Sequence, residues 1–414
     1  MFDAEVAGSI HVFPALAIFL ATYAVVALGK IPGCHLDRTG AALLGASLMV
    51  GSGILSMKEA YDAIDFDTIV LLLGMMIVVA HLRLSGVFRI VNAWVGRHAR
   101  YPIILLAGIV LVVGFASAFL VNDTICLVMT PLVLDIVLRM KREPTPYLIG
   151  IATASNIGSV ATITGNPQNM IVGTLSGIPY GRFAATLAPV AGVGLILTVG
   201  LLAVLFRREF TARDVLAVDE EVTRYHPAVA FKTLVVTAVM VLFFFLGLPV
   251  AEVAILSGGA LLITRRIRPE KIYREIDWPL LVMFAGLFVV VAGLEKTAIT
   301  PDVVAWVGAL HLDHVAILST VTVVLSNIVS NVPAVLVLRP FVAGLADPQR
   351  AWLVVAMAST LAGNLTLVGS VANLIVAERA RAAGIQISFS GYFRVGAPLT
   401  LLTLAIGVFW LGSI

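Results

Sequence analysis

The chain has 414 residues, 60% of them hydrophobic and only 12% charged, with a net charge of +3 and a mean hydropathy of +1.04. A water-soluble protein of this length needs far more charge to cover its surface. The basic residues sit in loops between apolar runs, so the small positive balance carries no nucleic-acid reading. Many apolar stretches reach the roughly 20 residues that a helix needs to cross a bilayer, which makes this an all-α polytopic membrane protein.

The N-terminus is short and acidic and lacks the basic region of a cleaved signal peptide. Apolar segments follow near residues 12–29, 39–56, 67–84, 102–121, 125–138, 147–175 and 183–206. Of the two cysteines, Cys34 and Cys126, neither has metal-ligand spacing, and Cys126 reads as a small core residue. A hydrophilic stretch, 207–232, then divides the chain almost in half. Beyond it lie apolar segments near 233–247, 249–264, 279–294, 315–329, 334–346, 351–377 and 395–413.

The halves repeat. Gly74, Val78, Val79, Ala80 and Leu82 after Ile64-Asp65-Phe66 match Gly286, Val290, Val291, Ala292 and Leu294 after Ile276-Asp277-Trp278. Asn122 and Pro131 match Asn331 and Pro340, while Thr162, Gly165 and Asn169 match Thr366, Gly369 and Asn373. Matches in one order at a nearly constant offset indicate a duplicated unit. The expected organisation is an N-terminal helix within 1–38, a first repeat over 39–206, a linker over 207–232 and a second repeat over 233–414. Each repeat carries a re-entrant hairpin (101–140 and 315–346) and a broken helix (147–175 and 351–377). The whole amounts to roughly 11 transmembrane segments.

Placing both hairpins as structures that enter and leave on one side puts the linker in the cytoplasm and the N-terminus outside. Of the 27 lysines and arginines, only Lys58, Arg182, Lys296, Arg339 and Arg350 then lie outside. A second hairpin arm of about 14 apolar residues favours re-entrance over a full crossing. The two repeats are then inverted, as in secondary transporters. Gly86–Arg100 reads as an amphipathic helix on the cytoplasmic surface, with a counterpart at Val303–Leu312.

Polarity reaches membrane depth in four places, where it is costly and marks function. They are the hairpin tips Asn122-Asp123-Thr124 and Ser330-Asn331, and two glycine-broken helices. The first broken helix holds Ser155, Asn156, Thr162, Gly165, Asn166 and Asn169; the second holds Asn364, Thr366, Gly369, Ser370 and Asn373. Pro167 removes a backbone donor and Gly165 permits unusual dihedrals, so the helix unwinds there. Freed carbonyls with Asn and Thr oxygens suit a hard cation, and helix N-termini suit an oxyanion or polar solute. Desolvation favours the protonated form of a buried carboxyl, which makes Asp123 the candidate proton carrier. Asp135 and Arg139 read as an ion pair one turn apart, His81 and Glu295 as solvated segment ends, and Asp65, Asp67 and Asp277 as caps or first-turn charges. No His or Cys set supplies the nucleophile–base pair or metal cluster of an enzyme.

Asn122-Asp123-Thr with Pro131, Ser155-Asn156-Ile-Gly with Thr162-Ile-Thr-Gly-Asn-Pro-Gln-Asn, and Ser330-Asn331-Val-Pro resemble the ion transporter superfamily. This superfamily includes arsenite permeases, bacterial sodium/proton antiporters, the melanosomal P protein and sodium–dicarboxylate symporters. The resemblance spans essentially the whole chain and implies an elevator-type transporter in the inner membrane. It also implies cation sites at the hairpin tips and broken helices, a homodimer through the scaffold and no cofactor beyond a coupling proton or sodium ion. Dicarboxylate symporters carry Ser-Asn-Thr at both tips, whereas Asn122-Asp123 resembles the arsenite permease branch, which also implies a soluble ATPase partner. The expectation is proton-coupled export of arsenite or antimonite, with a sodium-coupled anion transporter or a sodium/proton antiporter as the alternatives.

Overall fold

The computed structural model describes residues 2–29, 35–91, 101–210, 227–264, 266–298 and 310–414, and those residues are all helix and connecting turn. The first half runs α1 (Phe2–Leu28), α2 (Arg38–Gly51), α3 (Met57–Ala63), α4 (Phe66–Ser85), α5 (Pro102–Phe119), α6 (Asn122–Arg139), α7 (Pro144–Ser159), α8 (Pro167–Ser176) and α9 (Tyr180–Leu205). The second half runs α10 (Pro227–Phe245), α11 (Val250–Leu262), α12 (Trp278–Ala298), α13 (Val315–Val329), α14 (Asn331–Val342), α15 (Pro348–Ala362), α16 (Val371–Ala382) and α17 (Phe389–Ser413). Among the described residues, α4, α5, α9, α10, α12 and α17 are long and apolar enough to cross a membrane.

Helix starts follow local chemistry. Asp65 accepts from the Thr68 N–H at 3.1 Å and Asp277 from the Leu280 N–H at 3.1 Å, so both are caps as expected. Ser56 and Glu59 form a reciprocal capping box at α3. Proline opens α5, α7, α8 and α15, where its missing N–H costs nothing.

The helices form two groups. In the first, α2 packs on α12 and α4 on α11, with α1 against the former pair and α10 against the latter. A β-carbon at Gly74 would meet the Ala254 backbone at 2.5 Å, and one at Gly286 would meet the Ala42 backbone at 2.8 Å. The glycines matched between the repeats are therefore the points where helix backbones touch. Because α1 stands to α2 and α12 as α10 stands to α11 and α4, the N-terminal helix is the packing counterpart of the helix that follows the linker. The second group holds α5–α8 and α13–α16, flanked by α9 and α17. Here α5 and α6 pack on α7 as α13 and α14 pack on α15, and each second arm also reaches the broken helix of the other repeat.

Several expectations change. The second arm of the first hairpin has 18 residues, about 27 Å at the α-helical rise, so its length does not mark re-entrance. Its counterpart α14 has 12 residues, about 18 Å, and is too short to cross. His81 is buried rather than solvated, because α4 continues to Ser85 and packs that face on α11; its Nδ1 lies 2.9 Å from the Ile77 carbonyl oxygen. Asp135 and Arg139 do form the exposed pair, at 3.0 Å. Of the first expected surface helix, residues 87–91 are helical, with Val87 and Phe88 buried, while 92–100, nearly all of Val303–Leu312 and 211–226 of the linker lie outside the described residues.

Candidate functional site

Both hairpins turn at the expected tips. In the first, α5 ends at Phe119 and α6 starts at Asn122; in the second, α13 ends at Val329 and α14 starts at Asn331. Ser330 between them has φ 78° and ψ 160°, a region that only glycine occupies without strain. No sequence signal announces this, since serine there reads as an ordinary turn residue.

The broken helices part as expected, between α7 and α8 and between α15 and α16, and both breaks are built on one plan. Asn169 donates its Nδ2 to the carbonyls of Ser159 and Thr162, both at 3.0 Å. Asn373 donates to those of Gly363 at 2.7 Å and Thr366 at 3.1 Å. The carbonyls freed by the break are thus satisfied by a side chain from the following helix. Asn166 caps α8 by accepting from the Asn169 N–H at 2.8 Å, and Ser370 caps α16 by accepting from the Ala372 N–H at 3.2 Å. Gly165 and Gly369 each donate a backbone N–H to the threonine three residues earlier, Thr162 and Thr366. Gly165 does not have the positive φ that its glycine suggested; a β-carbon there would collide with the Ser159 carbonyl, so close approach is what requires glycine. Thr162 also donates its hydroxyl to the Ala118 carbonyl, which ties the break to the first hairpin.

The two repeats interlock around Asn156 of the first and Thr360 of the second. Asn156 donates Nδ2 to Asn364 Oδ1 at 2.8 Å and Asn373 Oδ1 at 3.0 Å. Its Oδ1 accepts from Asn122 Nδ2 at 3.1 Å and Ser370 Oγ at 3.0 Å. In the other direction, Thr360 accepts from Asn166 Nδ2 and Gln168 Nε2, each at 3.2 Å, and donates to Asn169 Oδ1 at 3.3 Å. Thr360 stands to Asn156 at the offset that relates Thr366 to Thr162. Sequence reasoning missed Thr360 and Gln168, although that offset would have found the former.

Ser155 joins the cluster by donating to the Asn122 carbonyl at 3.4 Å. Asn331 lies beside the second break, with its Nδ2 3.3 Å from where a Gly363 β-carbon would stand. Thr124 sits one turn into α6, half-buried, and is drawn into none of these networks. Asp123 is also half-buried, and among the described residues no donor reaches its carboxylate. The oxygens Asn122 Oδ1 and Asn331 Oδ1 are both buried and both without a hydrogen-bond partner. None of the four segments contains Lys, Arg or His. The arrangement can therefore receive hydrogen-bond donors or a cation; toward an anion it offers the N-termini of α6, α8, α14 and α16 but no cationic side chain.

The chain matches the CitMHS family, described as citrate transporter, over residues 23–362. An uncharacterized transporter of Mycobacterium tuberculosis is 32% identical over 96% of this chain and 97% of its own. The silicon efflux transporter LSI3 of Oryza sativa subsp. japonica is 30% identical over 93% of this chain and 94% of its own. The crystal structure of the Alcanivorax borkumensis YdaH transporter, described as having an unusual topology, superposes with a TM-score of 0.57 over 98% of this chain and 97% of its own, at 16% identity.

Proposed function

This chain belongs to the citrate transporter family and is a membrane transporter; we propose that it exports a small neutral hydroxide of a metalloid, arsenite or antimonite, across the inner membrane in exchange for protons. One observation carries the reading: Asn122 Oδ1, oriented by the bond from Asn122 Nδ2 to Asn156, is a buried acceptor without a donor, and the Asn331 carboxamide, held by no side chain among the described residues, can turn its own oxygen to a donor. The pyramidal hydroxide of As(III) or Sb(III) offers hydroxyl hydrogens to both. It enters a site without cationic side chains at far lower desolvation cost than an anion does. Asp123 beside the first tip takes the coupling proton. A relative named for silicon efflux supports both the direction and the solute class, since silicon dissolved in neutral water is an uncharged hydroxide.

Alternating access is of the elevator kind, with α1, α2, α4 and α10–α12 as the frame and the hairpins and broken helices as the moving body. Sparse polar contacts join them, which supports sliding: Tyr23 OH to the Pro333 carbonyl at 3.5 Å, Thr68 to Thr174 at 3.2 Å, and Arg339 to Glu295 at 3.7 Å.

A second reading is sodium-coupled anion transport, because unpartnered carboxamide oxygens also suit a hard cation, and bound cations could then neutralise a carboxylate solute. Uptake of As(III) into everted vesicles, under a pH gradient and then a sodium gradient, separates the two. Accumulation driven by the pH gradient supports arsenite export. Transport of sulfate or citrate that requires sodium, with no movement of As(III), overturns it.

A further inference from the structure

A carboxamide has two donor and two acceptor positions, and Asn156 uses all four on protein groups. It has no capacity left to hold a solute. Its orientation is settled from outside. Asn373 Nδ2 faces the carbonyls of Gly363 and Thr366, and Asn364 Nδ2 faces that of Thr153 at 3.2 Å. Backbone carbonyls only accept, so these amides cannot be turned round, and both present Oδ1 to Asn156. Asn156 must answer with Nδ2. Its Oδ1 then faces Asn122, which must answer with Nδ2 in turn, and Asn122 Oδ1 is left pointing away, buried and unpartnered. Three carbonyls thus determine the polarity of the first hairpin tip through the amides of Asn364, Asn373 and Asn156. Asn331 has no such tie; among the described residues no side chain holds its carboxamide.

We propose that Asn156 is a positioning residue that fixes the Asn122 carboxamide with its oxygen toward the solute, making the first tip an obligate acceptor and setting selectivity for hydroxyl donors over oxyanions. The inference rests on the reading of the solute as a neutral hydroxide. Without Asn156 the Asn122 amide can turn, present N–H groups and welcome an anion.

The test is As(III) uptake by the full chain in everted vesicles, with Asn156→Ala and Asn156→Asp beside the parent and sulfate as the anionic probe. Asn156→Ala raises KM for As(III) by about tenfold, the equivalent of one lost oriented hydrogen bond, changes Vmax by less than about twofold and lets sulfate through. Asn156→Asp still accepts from Asn122 Nδ2, so it raises KM less than the alanine variant does. A merely structural role predicts the reverse order, because the aspartate sets a buried charge against the oxygens of Asn364 and Asn373. Equal KM values for the two variants, or the reversed order, overturn the proposal.

If the parent moves no As(III), the functional reading fails, and the positioning is read without solute. Solvent exchange of the Asn122 side-chain amide is followed in nitrogen-15 asparagine-labelled protein and identified by its loss in Asn122→Ala. Protection in the parent that is lost in Asn156→Ala supports the positioning. Exchange that is equal in both overturns it.

Discussion

Asn169 and Asn373, one in each repeat, make the same pair of hydrogen bonds: each donates its amide nitrogen to the carbonyls ten and seven residues before it. The two bonds clamp the open end of one half-helix to the start of the next. Replacing either asparagine with alanine leaves two carbonyls without that donor, at about 1–3 kcal/mol of stability. Thermal unfolding of the detergent-solubilised chain is expected to show a lowered Tm for both variants. The drop is larger for Asn169→Ala, because residues 160–169 are buried throughout and water cannot take over.

Strain at Ser330 gives a prediction of the opposite sign. A non-glycine residue at φ 78° and ψ 160° costs about 1–3 kcal/mol, and glycine relieves it. After the extra chain entropy of a glycine, Ser330→Gly is expected to stabilise the protein by about 1 kcal/mol. Denaturation of the variant in detergent checks this, and a lowered midpoint contradicts the strain.

Asp123→Asn tests the proton carrier. The variant is expected to lose accumulation of As(III) driven by a pH gradient while keeping solute exchange down a concentration gradient. Vesicle uptake and counterflow, measured side by side, separate the two. Retained proton-driven accumulation would move the coupling to another residue.

Outside the membrane, Glu59 gives a pH dependence. A hydrogen bond from Lys296 at 2.6 Å, with the Ser56 backbone N–H at 2.7 Å, holds its carboxyl at about 2, below the ordinary 4.5. A lowered folded value means that the unfolded chain binds the proton first, so the stabilisation is present above about 4.5 and fades as pH falls toward about 2. The Tm difference between the parent and Glu59→Gln is expected to shrink across that interval. A difference independent of pH would show that the pair contributes nothing.

Much of this architecture is legible in the sequence because its causes are local. The polar tips, the Gly165-Asn166-Pro167 break and the recurrence of Thr162, Gly165 and Asn169 as Thr366, Gly369 and Asn373 each leave a mark within a few residues. Gly74 and Gly286 are visible as a match, but their reason, backbone contact with Ala254 and Ala42, belongs to partners far along the chain. Asn156 illustrates the limit. Its residue type marks it as polar at depth, which suggests a ligand; only the positions of Asn122, Asn364, Ser370 and Asn373 reveal that its hydrogen bonds are already taken. His81 misleads for the same reason, since nearness to a helix end says nothing about which helix covers it.

The two breaks share a hydrogen-bond plan but not an environment. Residues 160–169 are buried without exception, whereas 365–369 rise toward the surface and Val368 is 64% exposed. One repeating unit thus appears in this molecule in two states at once, sealed in the first half and unsealed in the second. Each half is therefore a template for the other. On the proposed alternating-access reading, threading each half through the shape of the other is expected to give a second conformation in which the two breaks exchange environments, from no information beyond the chain itself.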